Sequence, residues 1–186
     1  MSTAALGSAL AAVTRALSTC GGEWRLREET AADREFVDAV YVAMRWDELA
    51  AVPWPDSAKR DFLRDQSRLQ ADHYRRNYPG AALCVIEREQ APVGRFYLYA
   101  SSSEFRLMDI ALLPEWRGQG HGERMLRGLM AAARAERSQI TLHVEPNNPA
   151  QRLYARLGFA LIEDRGVYHF LGWRPIGETT AEVARR

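Results

Sequence analysis

The sequence lacks several features that would point to particular classes of protein. Its 186 residues carry a formal net charge of +1, so no charge excess favours nucleic acid or an anionic membrane as a partner. It contains only two cysteines, Cys20 and Cys84, and no Cys/His cluster has the spacing of a zinc site. We therefore expect two free thiols in a reducing cytoplasm, with neither a disulfide nor a bound metal.

Long apolar runs are also missing. The N-terminus is rich in alanine from Ala4 to Ala16, but no basic region precedes it and Arg15 interrupts it. This segment is too short to span a bilayer and is not typical of a signal peptide. We predict a frayed or loosely docked helix there, and a cytoplasmic location for the protein.

Length and composition are typical of one globular domain. Apolar residues make up 47% of the chain and charged residues 26%, which is sufficient for a substantial core. Gly21-Gly22 predicts a hinge. The predicted organisation is an N-terminal extension (1–22) that is flexible or loosely docked, a single domain (23–175) and a polar tail (176–186).

The order of predicted elements indicates a mixed α/β fold. Patterns of period two and short apolar runs predict strands. These cover residues 24–28, 82–87, 93–100, 106–113, 140–144, 160–164 and 167–173. Amphipathic stripes and capping residues predict helices over about residues 30–44, 56–76, 123–137 and 147–157. Such a mixture predicts a mixed sheet with helices packed on its faces.

A glycine-rich turn separates the predicted strand that ends near residue 113 from the next helix. It consists of Arg117, Gly118, Gln119, Gly120, His121 and Gly122. Glycines let the backbone approach a ligand closely, and the free N–H groups of a helix start favour an anion. Phosphate or pyrophosphate is the predicted ligand, and a tight connection without a ligand is the alternative. We expect the backbone N–H of His121 to matter more than its ring, which many residue types could replace.

Two familiar phosphate-binding motifs do not fit this turn. A P-loop requires Gly-Lys followed by Ser or Thr, and no such sequence occurs. A dinucleotide-binding fold places its glycine-rich turn after the first strand, whereas here several strands come before it.

Residues 109–122 (Asp-Ile-Ala-Leu-Leu-Pro-Glu-Trp-Arg-Gly-Gln-Gly-His-Gly) closely resemble the central motif of the GNAT acetyltransferase superfamily. That motif reads Gln/Arg-x-x-Gly-x-Gly/Ala after a strand that ends near a proline. Residues 148–159 resemble a second segment of the family, Asn-x-x-x-x-Leu-Tyr-x-x-x-Gly-Phe. The resemblance extends over about residues 24–173, and two motifs in the right order make it specific.

The resemblance implies a twisted mixed sheet of six to seven strands, flanked by about four helices in addition to the N-terminal helical extension. Two strands, starting at Arg106 and Ile140, would splay apart around the pantetheine arm of acetyl-CoA. The implied contacts with coenzyme A are made by one strand segment, the glycine turn and two later residues. These are Ile110, Ala111, Leu112, Arg117, Gly118, Gln119, Gly120, His121, Gly122, Asn148 and Tyr154.

Acyl transfer to an amine needs a neutral amine and benefits from a proton donor to the leaving thiolate. The resemblance places Tyr154 near the thioester sulfur as the acid, with a core aromatic residue as the alternative. His143 is the first choice for the base, because histidine titrates near neutrality. Asp109 is the second choice, since a carboxylate in an apolar strand must be used or paired. Glu145 is the third, and loss of the amine proton to water is a further possibility.

The predicted function is therefore transfer of an acetyl group from acetyl-CoA to a primary amine by direct attack in a ternary complex. A non-catalytic acyl-CoA-binding module and an acyltransferase with a different acyl-CoA are the alternatives. The acceptor is a small-molecule or peptide amine, and a homodimer through terminal strands is compatible with the sequence. Aromatic and acidic residues of the first two helices of the domain and the loop between them are candidates for the acceptor site, and they include Trp46, Asp47, Glu48, Trp54, His73 and Tyr74.

Overall fold

The structure is a computed structural model that describes residues 3–175, so the predicted tail (176–186) lies outside the described residues. This part of the chain contains five α-helices and seven strands. The helices are α1 (Thr3–Ser18), α2 (Arg34–Arg45), α3 (Asp56–Asn77), α4 (His121–Ala135) and α5 (Ala150–Arg156). The strands are β1 (Trp24–Glu28), β2 (Ala82–Arg88), β3 (Ala91–Ala100), β4 (Glu104–Leu112), β5 (Gln139–Val144), β6 (Ala160–Asp164) and β7 (His169–Trp173).

The strands form one seven-stranded sheet in the order β1-β2-β3-β4-β5-β7-β6. Only β4 and β5 run parallel, and α4 connects them, as a parallel crossover requires. Every other neighbouring pair is antiparallel. The mixed sheet with helices on its faces confirms the predicted fold class.

The sheet opens between its two parallel strands. Pairing of β4 with β5 begins at Glu104 opposite Gln139 and stops at Leu107 opposite Leu142, although both strands continue. On its other side β4 stays paired with β3 as far as Leu112, with a bulge that leaves Met108 unpaired. The β5-facing backbone of β4 beyond Leu107 therefore has no strand partner among residues 3–175.

Helix α1 is an integral part of the core. Every fourth residue along it is buried, and this stripe consists of Ala5, Ala9, Val13 and Leu17. The helix crosses α4 at Gly128, where an added Cβ would lie 2.7 Å from the carbonyl oxygen of Ala12. This close packing differs from the flexible or loosely docked helix expected from the sequence. Small residues on both helices make it possible, and they carry little hydrophobic signal when read along the chain.

Both cysteines are free thiols, with Cys84 buried and Cys20 partly exposed. Burial raises the pKa of the Cys84 thiol to about 12, which keeps it protonated and unreactive. Among residues 3–175, none of the helices combines the length and apolar character needed to cross a bilayer.

Candidate active site

The glycine turn forms an open cradle at the start of α4. Gly118 and Gly120 adopt φ angles of +73° and +81°, a left-handed conformation that other residues rarely take. No described atom lies within 4 Å of the position that a Cβ would occupy at either glycine. The Nε of Arg117 donates to the carbonyl of Leu112 at 2.7 Å, which ties the turn to the end of β4. The cradle, the N-terminus of α4 and the Arg117 charge together suit an anion.

The ring of His121 packs inside the protein, which differs from the expectation that many residue types could replace it. The ring is only 5% exposed, and its centroid lies 4.8 Å from that of Trp24 and 6.1 Å from that of Trp116. Burial, together with the charges of Arg88 and Arg124, lowers its pKa. The sequence carried no signal for this packing, because Trp24 is remote along the chain and only the sheet brings it under the turn.

A cavity of about 470 Å³ opens where β4 and β5 separate. Six of the residues predicted for donor binding or catalysis line it, namely Asp109, Ile110, His143, Glu145, Asn148 and Tyr154. Ala111 and Leu112 lie further along β4, between the cavity and the glycine turn. The unpaired stretch of β4 thus connects the cavity to the anion cradle, and this strip can hold a long ligand with a phosphate at one end. The cavity contains no metal site, since no cluster of three or more metal-binding side chains occurs within residues 3–175.

Tyr154 lies on α5 and is 6% exposed, with its ring packed 5.5 Å from that of Phe159. The residue lines the cavity, and its hydroxyl has no hydrogen-bond partner within the described part of the chain. Burial raises the pKa of this hydroxyl well above its usual value, and the carboxylate of Asp109 raises it further. The group is therefore protonated at neutral pH and can donate to a leaving group in the cavity.

His143 lies at the surface end of the cavity, and its ring stacks on that of Phe170 at a centroid distance of 4.8 Å. Its Nε2 is 3.1 Å from Nη1 of Arg165. An arginine can only donate, so Nε2 accepts and this contact assigns the imidazole proton to Nδ1. Partial desolvation, together with the charges of Arg106 and Arg165, lowers the pKa of His143. The imidazole is therefore neutral near pH 7.

Asp109 is the partner of a buried arginine. Its carboxylate accepts from Nη2 of Arg95, whose side chain is only 1% exposed, and the same nitrogen donates to Gln70. The sequence offered two interpretations of Asp109, a catalytic base and a structural partner in an ion pair. Its position on the cavity wall is compatible with both, but the contact that is observed is the ion pair with Arg95. The pair ties β3 and β4 to α3 beneath the cavity.

Glu145 and Asn148 are also engaged within the protein. Glu145 accepts from Nη1 of Arg45 at 2.9 Å. The side-chain oxygen of Asn148 accepts from the backbone N–H of Ala150 at 2.9 Å and forms an Asx turn just before α5, the helix that carries Tyr154. Asn148 thus has a visible structural role in addition to the ligand contact that the resemblance implies.

The wall of the cavity opposite α5 comes from α3. Tyr74 donates to the carbonyl of Met108, the bulged residue of β4, at 3.1 Å. His73 also lines the cavity, as expected, whereas Trp46 and Trp54 do not. Trp46 packs under Arg60, and Trp54 is 46% exposed beside Phe62. Sequence reasoning missed several lining residues that no motif marks, and they include Arg45, Tyr78, Arg106 and Tyr168.

Comparison with known proteins agrees with this geometry. The sequence profile of the "Acetyltransferase (GNAT) family" matches residues 38–159, more than half of the chain. No curated protein sequence matches the chain significantly. The matched region includes both the glycine turn and the helix that carries Tyr154.

Solved structures of low sequence identity share the fold. PaiA N-acetyltransferase from Thermoplasma acidophilum, solved in complex with coenzyme A, has a TM-score of 0.60 and 14% identity, and the match covers 82% of this chain and 99% of that one. An acetyltransferase from Thermus thermophilus has a TM-score of 0.58 and 20% identity, with 82% and 97% covered. One from Streptococcus agalactiae has a TM-score of 0.57 and 16% identity, with 83% and 99% covered. The chain belongs to the GNAT family of acetyl-CoA-dependent N-acetyltransferases.

Proposed function

We propose that this acetyltransferase transfers an acetyl group from acetyl-CoA to a primary amine by direct attack within a ternary complex. One observation carries the proposal. The unpaired strip of β4 runs from the anion cradle at Gly118–Gly122 to a cavity that Tyr154 lines. This arrangement supports donor binding at one end of the groove and proton donation at the other.

The residues of the groove fit coenzyme A. Backbone N–H groups of Gly118, Gln119, Gly120, His121 and Gly122, with the two Nη atoms of Arg117, would hold the diphosphate. The β4 backbone at Ile110, Ala111 and Leu112 would pair with the pantetheine arm as an additional strand. Asn148 would contact the same arm. The thioester supplies an activated acetyl group at the cavity end.

The acceptor amine must be neutral before it attacks the thioester carbon. As the C–N bond forms and the C–S bond breaks, the electron pair of the C–S bond moves to sulfur. Tyr154 donates its proton to that thiolate, and His143 takes the proton that the amine nitrogen loses. Both assignments suit the protonation states expected from the site, because Tyr154 is protonated and His143 is neutral at pH 7.

Asp109 is not the base in this scheme, since its carboxylate is bound to Arg95 and only 9% of its side chain is exposed. Its charge instead favours the protonated form of Tyr154. For Glu145 to act as the base, it would have to leave Arg45. His143 needs only to displace Arg165, a side chain that is 47% exposed and so forms a weak contact.

The test measures release of free CoA thiol from acetyl-CoA with a panel of small amines and peptide N-termini. Turnover with at least one amine is expected. Tight acetyl-CoA binding without turnover on any amine would instead indicate a non-catalytic binding module. Faster turnover with a longer or acidic acyl-CoA would change the donor and leave the chemistry in place.

A variant of the turn tests the donor site separately. Gly120→Val introduces a side chain into the open cradle at a left-handed φ, and it should abolish CoA binding in calorimetry while the protein stays folded. Gly80→Val is the matched control, because Gly80 has a φ of +83° with equally open space but lies outside the groove. Equal CoA affinity in the two variants would remove the donor site from the turn.

A further inference from the structure

The imidazole of His121 is the most unusual polar group outside the cavity. Both of its ring nitrogens are buried, and neither has a hydrogen-bond partner among residues 3–175. Because neither nitrogen is hydrogen-bonded, packing against the neighbouring rings is what holds the imidazole in place. His121 is the first residue of α4 and directly follows Gly120, which makes its packing relevant to the phosphate site.

Four side chains form a cluster beneath the turn, which we call the aromatic clamp. It consists of Trp24, Arg88, Trp116 and His121. Trp24 contacts both of the other rings, with centroid distances of 4.8 Å to His121 and 5.9 Å to Trp116. Trp116 and His121 stand immediately before and after the exposed residues 117–120, so Trp24 holds both ends of the turn.

Arg88 completes the clamp from the neighbouring strand. It is the last residue of β2 and pairs in register with Trp24, the first residue of β1. Its Cζ atom lies 5.5 Å from the ring of Trp24 and 4.9 Å from that of Trp116, which is within cation–π range. Like the nitrogens of His121, its Nε is buried and unpaired within the described residues. Within the part of the chain that the structure describes, contacts with ring faces hold this guanidinium and no ion pair does.

We propose that the aromatic clamp fixes the glycine turn in its phosphate-binding conformation, with Trp24, Arg88, Trp116 and His121 as positioning residues for the diphosphate of the donor. A turn with two left-handed glycines is flexible, and ordering it on binding would weaken affinity. The clamp joins the ends of the turn before the ligand arrives. This inference depends on the proposed use of acetyl-CoA.

The clamp should affect only the binding of the diphosphate, so donors with and without a diphosphate can test it. Acetyl-CoA carries the diphosphate, whereas S-acetylpantetheine carries the same thioester and arm without it. His121→Ala should weaken CoA binding about tenfold in calorimetry, equivalent to about 1.4 kcal/mol, and raise the KM for acetyl-CoA with little change in kcat. Its kcat/KM with S-acetylpantetheine should stay within about twofold of the unmodified protein, because no phosphate contact is involved.

Two further variants separate positioning from general stability. His121→Phe keeps a ring in the clamp and should restore CoA affinity, as a conservative replacement of a packing group does. Leu63→Ala removes a buried side chain of α3 that is not part of the clamp, and it should lower the melting temperature without changing the ratio of kcat/KM for acetyl-CoA to that for S-acetylpantetheine. A His121→Ala variant that impairs both donors equally, or a His121→Phe variant as weak as His121→Ala, would overturn the proposal. Absence of turnover by the unmodified protein would instead refute the proposed function.

Discussion

Arg95 and Asp109 form a buried ion pair beneath the cavity, between β3 and β4. The guanidinium also lies 5.5 Å from the ring of Tyr41 and 5.2 Å from that of Tyr97, and it donates to Gln70 of α3. A charge so deeply buried is stable only with its partner. The pair therefore links both helices of the acceptor side, α2 and α3, to the strand that borders the donor groove.

Removing one member of this pair should be costly. Asp109→Asn leaves the buried charge of Arg95 without its counterion and should lower the free energy of unfolding by about 3 kcal/mol. The double variant Arg95→Met with Asp109→Asn should lose less stability than the sum of the losses in Arg95→Met and Asp109→Asn, by at least about 1 kcal/mol. Urea unfolding of the four proteins checks this, and additive losses would show that the pair is not coupled.

The contact between α1 and α4 makes a second prediction. Alanine normally stabilises a helix relative to glycine by up to about 1 kcal/mol. Gly128→Ala should instead destabilise the protein by about 1–3 kcal/mol, because its Cβ would meet backbone atoms of Ala12 and Val13 within 3 Å. Gly7→Ala is the matched control on the exposed face of α1, where no atom lies within 4 Å. Thermal unfolding should move in opposite directions for the two variants, and a shared direction would contradict the packing.

Tyr154→Phe tests the proton donor. Loss of the hydroxyl should lower kcat about a hundredfold, a typical contribution of a general acid. Affinity for acetyl-CoA should remain, because the phenyl ring still packs beside Phe159. Tyr168→Phe removes a hydroxyl from the same cavity without a proposed role and should retain activity. Equal rates for the two variants would exclude Tyr154 as the acid.

The contact of His143 with Arg165 makes a prediction about pH. Partial burial, together with the charges of Arg106 and Arg165, lowers the pKa of His143, so the neutral base persists to lower pH. Arg165→Gln should raise that pKa and move the acid limb of kcat/KM upward by less than about one pH unit. The control is Arg64→Gln, an exposed arginine on α3. If Arg165→Gln and Arg64→Gln have the same acid limb of kcat/KM with the same amine substrate, the base is not His143.

His121 predicts the acid sensitivity of the fold. Burial, together with the charges of Arg88 on β2 and Arg124 on α4, lowers its pKa in the folded protein. The other rings in contact with it, Trp24 and Trp116, do not titrate. The unfolded chain therefore binds a proton at a higher pH than the folded chain does, and stability falls as the pH drops below about 6.5. His121→Phe should lose less stability between pH 7 and pH 5 in urea unfolding. Parallel losses in both proteins would show that another group causes the decline.

Several features could be predicted from the sequence because local geometry determines them. The alternation of strands and helices follows from residue patterns of short range, and the mixed sheet is confirmed. The glycine turn depends on left-handed backbone at Gly118 and Gly120, which the residue type alone permits. The motif around Tyr154 placed that residue on a short helix, and the structure does the same. Its role as the acid stays a prediction.

Other features were decided only by tertiary structure. Arg95 and Asp109 form a pair because β3 and β4 are antiparallel neighbours. Trp24 contacts His121 because β1 joins the same sheet as the strand that precedes α4. Helix α1 docks because Gly128 leaves room for its backbone, which an alanine-rich sequence does not reveal. The sequence by itself therefore determined the backbone conformations and the order of elements that suit an acyl-CoA donor. The packing around the turn and the walls of the acceptor cavity depend on contacts between residues far apart along the chain, and only the folded sheet brings those residues together.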